Sequence, residues 1–197
     1  MTSSRRPRVV LVGTMGAGKT TVGRLVAAEL GCAFLDTDQV VEERAGKPVA
    51  EIFVDDGEPY FRDLERQAVA EALSGFDGVL ALGGGAAVDP VTRELLRDHT
   101  VVFLKVGLTD AASRVGLGVS RPMLLGNVRG RIKQLLDERT PVYASVATHT
   151  VDTDGTEPNT VALRVVALLD GSVDGSAQDS AQDSGHDSGR DSAEGST

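Results

Sequence analysis

The octet Gly13-Thr14-Met15-Gly16-Ala17-Gly18-Lys19-Thr20 leaves the chain few folds to choose from. It satisfies G-x-x-x-x-G-K-[ST] at every position, a pattern that cradles phosphate when it links a buried strand to the start of a helix. Both flanks comply. Upstream, Val9-Val10-Leu11-Val12 is a β-branched run without a polar residue, as a parallel strand covered on both faces requires. Downstream, Val22, Leu25, Val26 and Leu30 recur at helical spacing until Gly31 ends the helix. In such a loop Gly13, Gly16 and Gly18 let backbone N–H groups close around phosphate oxygens at a helix N-terminus. Lys19 adds a point charge, and the Thr20 hydroxyl is placed to ligate Mg²⁺. The stretch Gly16, Ala17, Gly18, Lys19, Thr20 and Thr21 is therefore expected to hold ATP.

A rival exists, because Asp36 stands near the distance beyond a glycine loop at which a dinucleotide-binding fold holds a ribose. It fails on the loop itself. The glycines run G-x-x-G-x-G rather than G-x-G-x-x-G, and a dinucleotide fingerprint has no use for Lys19-Thr20. Asn127 and Asn159 are the only asparagines and neither precedes a lysine, so no guanine-reading Asn-Lys-x-Asp exists, which argues against a GTPase switch.

Strand-like and helix-like segments alternate through the body: strands near 8–12, 33–35, 79–82, 100–106 and 147–151, with helices between them. That pattern predicts an α/β fold with a mostly parallel sheet, whose ligands gather at the carboxyl ends of the strands. Residues 1–170 have the composition of one globular domain, and from Gly171 a tail repeats x-x-Asp-Ser four times. The tail supplies −5 of the net charge of −9, and its apolar content is too small to offset ordering entropy, so disorder is expected over 171–197. A body left at −4 offers no surface for nucleic acid. No apolar run approaches the ~20 residues of a membrane span, and Arg5-Arg6-Pro7-Arg8 leads into a strand rather than a signal core, which suggests a cytoplasmic protein. Cys32 has no partner for an internal disulfide and reads as a small buried residue.

Chemistry-bearing residues sit at the expected strand ends. Asp36 and Asp38 follow the second strand; Asp36 can serve the metal directly or through water, and Asp38 can orient or deprotonate an accepting hydroxyl. Alternatively Asp38 is a helix cap and Asp36 a turn residue. In the helix opened by Gly57-Glu58-Pro59, Phe61, Leu64, Ala68, Val69, Ala72 and Leu73 form an apolar stripe with Glu65 inside it and Arg62 at its edge. Glu65 needs a partner, and Arg62 three residues before it can be held ready for a substrate carboxylate, unless the pair is merely structural. Gly83-Gly84-Gly85 replaces the acidic residue a P-loop enzyme often carries after that strand, and it lets a small polar ligand approach main chain; a plain turn is the alternative. Residues 115–128 have glycines on both sides of Arg121, like a lid that carries an arginine to the transferring phosphoryl group, or else a surface loop. Arg139, expected at a helix C-terminus ahead of Pro141, is a second guanidinium for a carboxylate or a dipole-compensating residue.

Taken in order and spacing, the P-loop, Leu35-Asp36-Thr37-Asp38, Gly57-Glu58 with Phe61-Arg62 and Glu65, the glycine triplet, Arg121-Pro122-Met123-Leu124, and Arg139 with Pro141 and Tyr143 resemble the shikimate kinase family over about residues 8–168. The resemblance implies a three-layer P-loop fold with a five-stranded parallel sheet like that of nucleoside monophosphate kinases. It implies ATP-dependent phosphorylation of the shikimate 3-hydroxyl, with Mg²⁺ at Thr20 and Asp36, in an enzyme expected to be a monomer without membrane or nucleic-acid partners. Lys19 and Arg121 would act on the phosphates, Arg114 would lie by the nucleotide, and Asp38 would hold the substrate hydroxyls and act as base. Arg62 and Arg139 would grip the substrate carboxylate along the backbone of Gly83, Gly84 and Gly85. The chain departs from the family in an apolar Gly116-Leu117-Gly118-Val119 lid segment, in a loop Asp154-Gly155-Thr156-Glu157 without a basic residue, and in the Asp-Ser tail. A gluconate or nucleoside monophosphate kinase would not need two arginines and a glycine triplet around one carboxylate. A silent nucleotide-binding regulator would not need Asp38, Arg62, Arg121 and Arg139 together.

Overall fold

A computed structural model describes residues 6–116 and 128–171 of the chain. The apolar run after Pro7 forms β1 (Val9–Val12), buried at every position. Consecutive side chains of a strand point to opposite faces, so a strand buried throughout must be covered on both. Val9 and Leu11 face one apolar layer, with Val22 and Val26 of α1 (Lys19–Glu29) and Val161 and Val165 of α8 (Pro158–Leu169). Val10 and Val12 face the other, against Val69 and Leu73 of α4 (Glu58–Gly75). Three layers result.

The sheet runs β2-β3-β1-β4-β5, with β2 (Ala33–Asp36), β3 (Gly78–Ala81), β4 (Val101–Lys105) and β5 (His149–Asp152). Every pairing is parallel. The carboxyl ends of all five strands therefore share one edge, with Asp36 opposite Ala81 and Val12 opposite Phe103. Between β2 and β3 the chain adds α2 (Thr37–Ala45) and α3 (Val49–Asp55) before α4. Val41, Ile52, Phe61 and Ala68 bind these helices into a small apolar cluster of their own beside the sheet. Asp89 caps α5 (Pro90–Leu96) through the N–H groups of Val91 and Thr92, and α6 (Leu108–Gly116) follows β4.

The expected helix end at Arg139 is not an end. Helix α7 runs Val128–Val146 with Pro141 inside it. An interior proline costs about 3 kcal/mol or more, chiefly through the lost N–H bond to the carbonyl four residues back. Here that carbonyl belongs to Asp137, which is exposed and can turn to water. Two residues beyond the proline, Tyr143 is buried and packs at a tilt on Phe103 with ring centroids 5.3 Å apart, which holds the continuing helix to the sheet. Cys32 is only partly buried, packed at the margin of the core rather than inside it.

Candidate active site

The loop after β1 has the backbone its glycines imply: Gly16 and Gly18 take φ of 79° and 87°, a left-handed region where a Cβ is strained. Gly18 caps α1 without any side-chain hydrogen bond, so the first N–H groups of the helix are open to an anion. The Lys19 ammonium donates to the carbonyls of Gly13 at 2.8 Å and Thr14 at 3.1 Å, which folds it back over the loop. The Thr20 hydroxyl donates to Asp36 Oδ2 at 2.8 Å. The other oxygen of Asp36 accepts the Asp38 N–H at 3.1 Å, so the cap of α2 is Asp36 and not Asp38. One carboxylate thus ties the phosphate loop to the helix that carries Asp38. Thr21 lies on the exposed side of α1 along the same cleft.

Arg114, from the last turn of α6, fastens the far wall. Its guanidinium donates to the Gly16 carbonyl at 3.2 Å, to the Thr153 carbonyl at 2.7 Å and to Asp110 at 2.9 Å. Gly155 N–H also donates to Asp110 at 2.9 Å, which draws the segment after β5 to the phosphate loop. Thr153, Gly155, Glu157, Pro158 and Val161 then form a wall; Gly155 and Glu157 belong to the loop that the family resemblance puts on the nucleotide side, while Thr153, Pro158 and Val161 were not singled out from the sequence. The faint signal for it was a loop following the last strand of a parallel sheet.

The opposite side is built from side chains. A Cβ on Gly83 would stand 2.3 Å from Asp38 Oδ1 and 2.8 Å from Glu65 Oε1, so both carboxylates close on this Cα. The Gly83 N–H is taken by the buried Thr37 hydroxyl at 2.9 Å and faces away from a ligand. A Cβ on Gly85 would meet Arg62 Nη1 at 2.3 Å, which puts the guanidinium over the end of the triplet. Arg62 donates to Glu65 at 2.6 Å and to Glu58 at 3.1 Å. Burial raises the Glu65 carboxyl above its ordinary range, against the pull of Arg62 and Arg139. Arg139 donates to the Gly84 carbonyl at 2.8 Å, and Tyr143, one helical turn on, donates to the same oxygen.

Between these groups a cleft of about 710 Å³ runs from Thr156 and Pro158, past Lys19 and Thr20, to Asp38, Arg62 and Arg139. Val49, Phe53 and Phe61 close its acceptor end, with the two rings 4.6 Å apart. Among the described residues no group of three His, Cys, Asp or Glu side chains is placed to hold a metal. Arg121 and most of the 115–128 segment lie outside the described residues.

A parallel five-stranded sheet with a phosphate loop after its central strand and an acceptor pocket beside it defines a P-loop phosphotransferase. Solved structures agree. Shikimate kinase from Acinetobacter baumannii in complex with shikimate superposes with a TM-score of 0.79 at 34% identity, covering 85% of this chain and 94% of that one. The deoxyadenosine kinase of M. mycoides, at 17% identity and a TM-score of 0.54, shares the fold alone. The shikimate kinase family model matches residues 15–170. The shikimate kinase of Salinispora arenicola is 57% identical over 163 residues, 83% of this chain and 98% of that protein. That of Thermobifida fusca is 57% identical over 159 residues, 81% of this chain and 92% of its own length. The chain belongs to the shikimate kinase family.

Proposed function

We propose that the cleft carries out the family's reaction, ATP-dependent phosphorylation of shikimate, with the roles divided as follows. The substrate lies against Gly84 and Gly85 with its carboxylate between Arg62 and Arg139 and its 3-hydroxyl at Asp38. The hydroxyl oxygen attacks the γ-phosphorus in line, the bond to the β,γ-bridging oxygen breaks, and the hydroxyl proton passes to Asp38. Lys19 and the N–H groups of residues 16–21 hold the phosphate oxygens, and Arg114 keeps the nucleotide wall on the loop. Arg121 is assigned to the transferring phosphoryl group by its place in the sequence.

A Mg²⁺ ion fits this donor set, since that ion keeps several waters and needs only one or two protein oxygens beside the phosphates. Thr20 Oγ1 would hold it, with Asp36 behind the hydroxyl at 2.8 Å; bound there it neutralises charge that develops on the phosphate oxygens. That the enzyme works as a monomer belongs to the same reading and rests on the resemblance to the family. Among the described residues no helix is long and apolar enough to cross a membrane; work in the cytoplasm without nucleic-acid or membrane partners is part of the same reading and rests on the acidic body.

The observation that carries the reading is the meeting of Asp38, Glu65 and Arg62 on one glycine triplet across the cleft from Lys19. It is tested by a coupled ADP-release assay offered shikimate, gluconate and nucleoside monophosphates in turn. ADP release with shikimate alone is expected; equal release with gluconate, itself a carboxylate, would remove shikimate as the specific substrate, and equal release with a nucleoside monophosphate would remove the carboxylate-site assignment.

A further inference from the structure

The Gly84 carbonyl is held twice. Its oxygen accepts Arg139 Nη1 at 2.8 Å and the Tyr143 hydroxyl, both from one face of α7 and spaced four residues apart. A carbonyl oxygen has two lone pairs and can take both donors. The two donors differ in what else they can do. Arg139 lines the cleft and is partly exposed, with further N–H groups to offer. Tyr143 is 1% exposed, its ring fixed on Phe103, and its hydroxyl has no route to a ligand. Burial raises the Tyr143 phenol above its ordinary range, so it stays a proton donor through neutral pH.

This inference rests on the reading of Arg139 as a carboxylate holder. A carboxylate taken with both arms of the fork competes for Arg139 Nη1, the arm that now holds Gly84, and draws it from that carbonyl. A part-buried carbonyl stripped of its donor would oppose that movement, because a polar group screened from water and left unsatisfied is costly. We propose that Tyr143 is a positioning residue whose hydroxyl keeps the Gly84 carbonyl satisfied while Arg139 moves from it to the substrate carboxylate. The same bond holds the Gly84 backbone in register with Gly83 and Gly85, whose Cα atoms lie against Asp38 and Arg62. Tyr143 thereby sets the affinity for the acid without touching it.

Tyr143→Phe keeps the ring and removes only the donor. Shikimate affinity, read by isothermal titration without ATP and as KM with it, should weaken about five- to thirtyfold, the effect of stranding one part-buried acceptor. ATP KM should stay within about twofold and kcat within about threefold, since neither phosphates nor base are touched. In an Arg139→Ala background the same substitution should change shikimate affinity by less than about twofold, because residues acting through one another are not additive. Unchanged shikimate affinity in Tyr143→Phe overturns the proposal. So does a full effect in the Arg139→Ala background, or a parallel loss for ATP and shikimate with a lowered Tm, either of which marks Tyr143 as a packing residue. Should Arg139→Ala itself leave shikimate affinity intact, the carboxylate reading falls, and the role of Tyr143 with it.

Discussion

The two halves of the cleft are made in different ways. The phosphate half is eight consecutive residues whose grip lies in backbone geometry: left-handed glycines, open helix N–H groups, and a lysine folded onto its own loop. The acceptor half is side chains from α2, α4 and α7 around a glycine turn, brought together across 46 residues between Thr37 and Gly83 and 59 between Gly84 and Tyr143. A contiguous loop is preformed wherever its strand and helix are packed. A site gathered from distant elements is only as good as the packing that gathers it. Damage to the acceptor half should therefore leave ATP binding intact, while the reverse need not hold, because Asp36 joins the two halves through Thr20 and the cap of α2.

The largest expected effect is on turnover at Asp38. Asp38→Asn keeps size and shape but removes the proton acceptor, so kcat should fall by about 10²- to 10⁴-fold while ATP affinity holds. Turnover within a few-fold of wild type would take the role of base from Asp38.

Next comes Gly83→Ala. The added methyl would need the space of Asp38 Oδ1 at 2.3 Å and Glu65 Oε1 at 2.8 Å. Displacing the base by about 1 Å can cost on the order of 10²-fold, so kcat/KM for shikimate should drop by about 10- to 100-fold. Gly84→Ala meets no protein atom closer than 3.7 Å, but its methyl would enter the space assigned to the substrate, so it should raise the KM for shikimate and leave Tm unchanged, whereas Gly83→Ala should lower kcat. A loss confined to KM in both variants would mean that Gly83 only lines the substrate and does not place the base.

Legibility followed the same division. The phosphate loop, its flanks and the β-α alternation could be read directly, since strand, glycine and helix signals are local. Asp38, Arg62 and Glu65 were legible because a carboxylate on an apolar stripe demands a partner within a helical turn, and Arg62 is that partner at 2.6 Å. Hidden were the bonds between distant elements: Thr37 taking the Gly83 N–H, Arg114 joining Gly16 to Thr153, and Tyr143 under Gly84. No periodicity encodes which carbonyl a buried hydroxyl will meet. Pro141 misled for a related reason. A local rule that ends helices lost to the tertiary anchoring of Tyr143, and α7 ran on to Val146.

Arg62→Lys sharpens the comparison from the binding side. It keeps the charge and loses the fork, so shikimate binding should weaken by about 1.5 to 3 kcal/mol, the worth of a hydrogen bond to a charged group. ATP affinity should barely move in calorimetric titration. Equal losses for both ligands would show that Arg62 supports the whole cleft.

A smaller effect comes from Glu65. Burial raises its pKa above 4.5, so the folded form holds a proton that the unfolded chain has already released. Stability contributed by the neutral carboxyl is complete below the unfolded value and is lost as pH rises through the folded one. Wild type should therefore lose Tm relative to Glu65→Gln as pH is raised from about 4 to about 8. A constant difference would mean that Arg62 keeps Glu65 ionised throughout.

The smallest effect is expected from removing the tail. If the cleft draws on nothing beyond α8, whose Pro158 and Val161 line the nucleotide wall, residues 172–197 are dispensable while the helix to Leu169 must stay. Beyond Val173 the tail has no apolar residue larger than alanine, and its charge of −5 has the sign of the body, so neither burial nor long-range attraction favours docking. Deletion of 172–197 should leave turnover within about threefold and Tm within about 2 °C, the shift that ~1 kcal/mol produces in a domain of this size. A larger loss in either would show that the tail contacts the kinase domain, and whether shikimate or ATP affinity falls with it would tell which half of the cleft it touches.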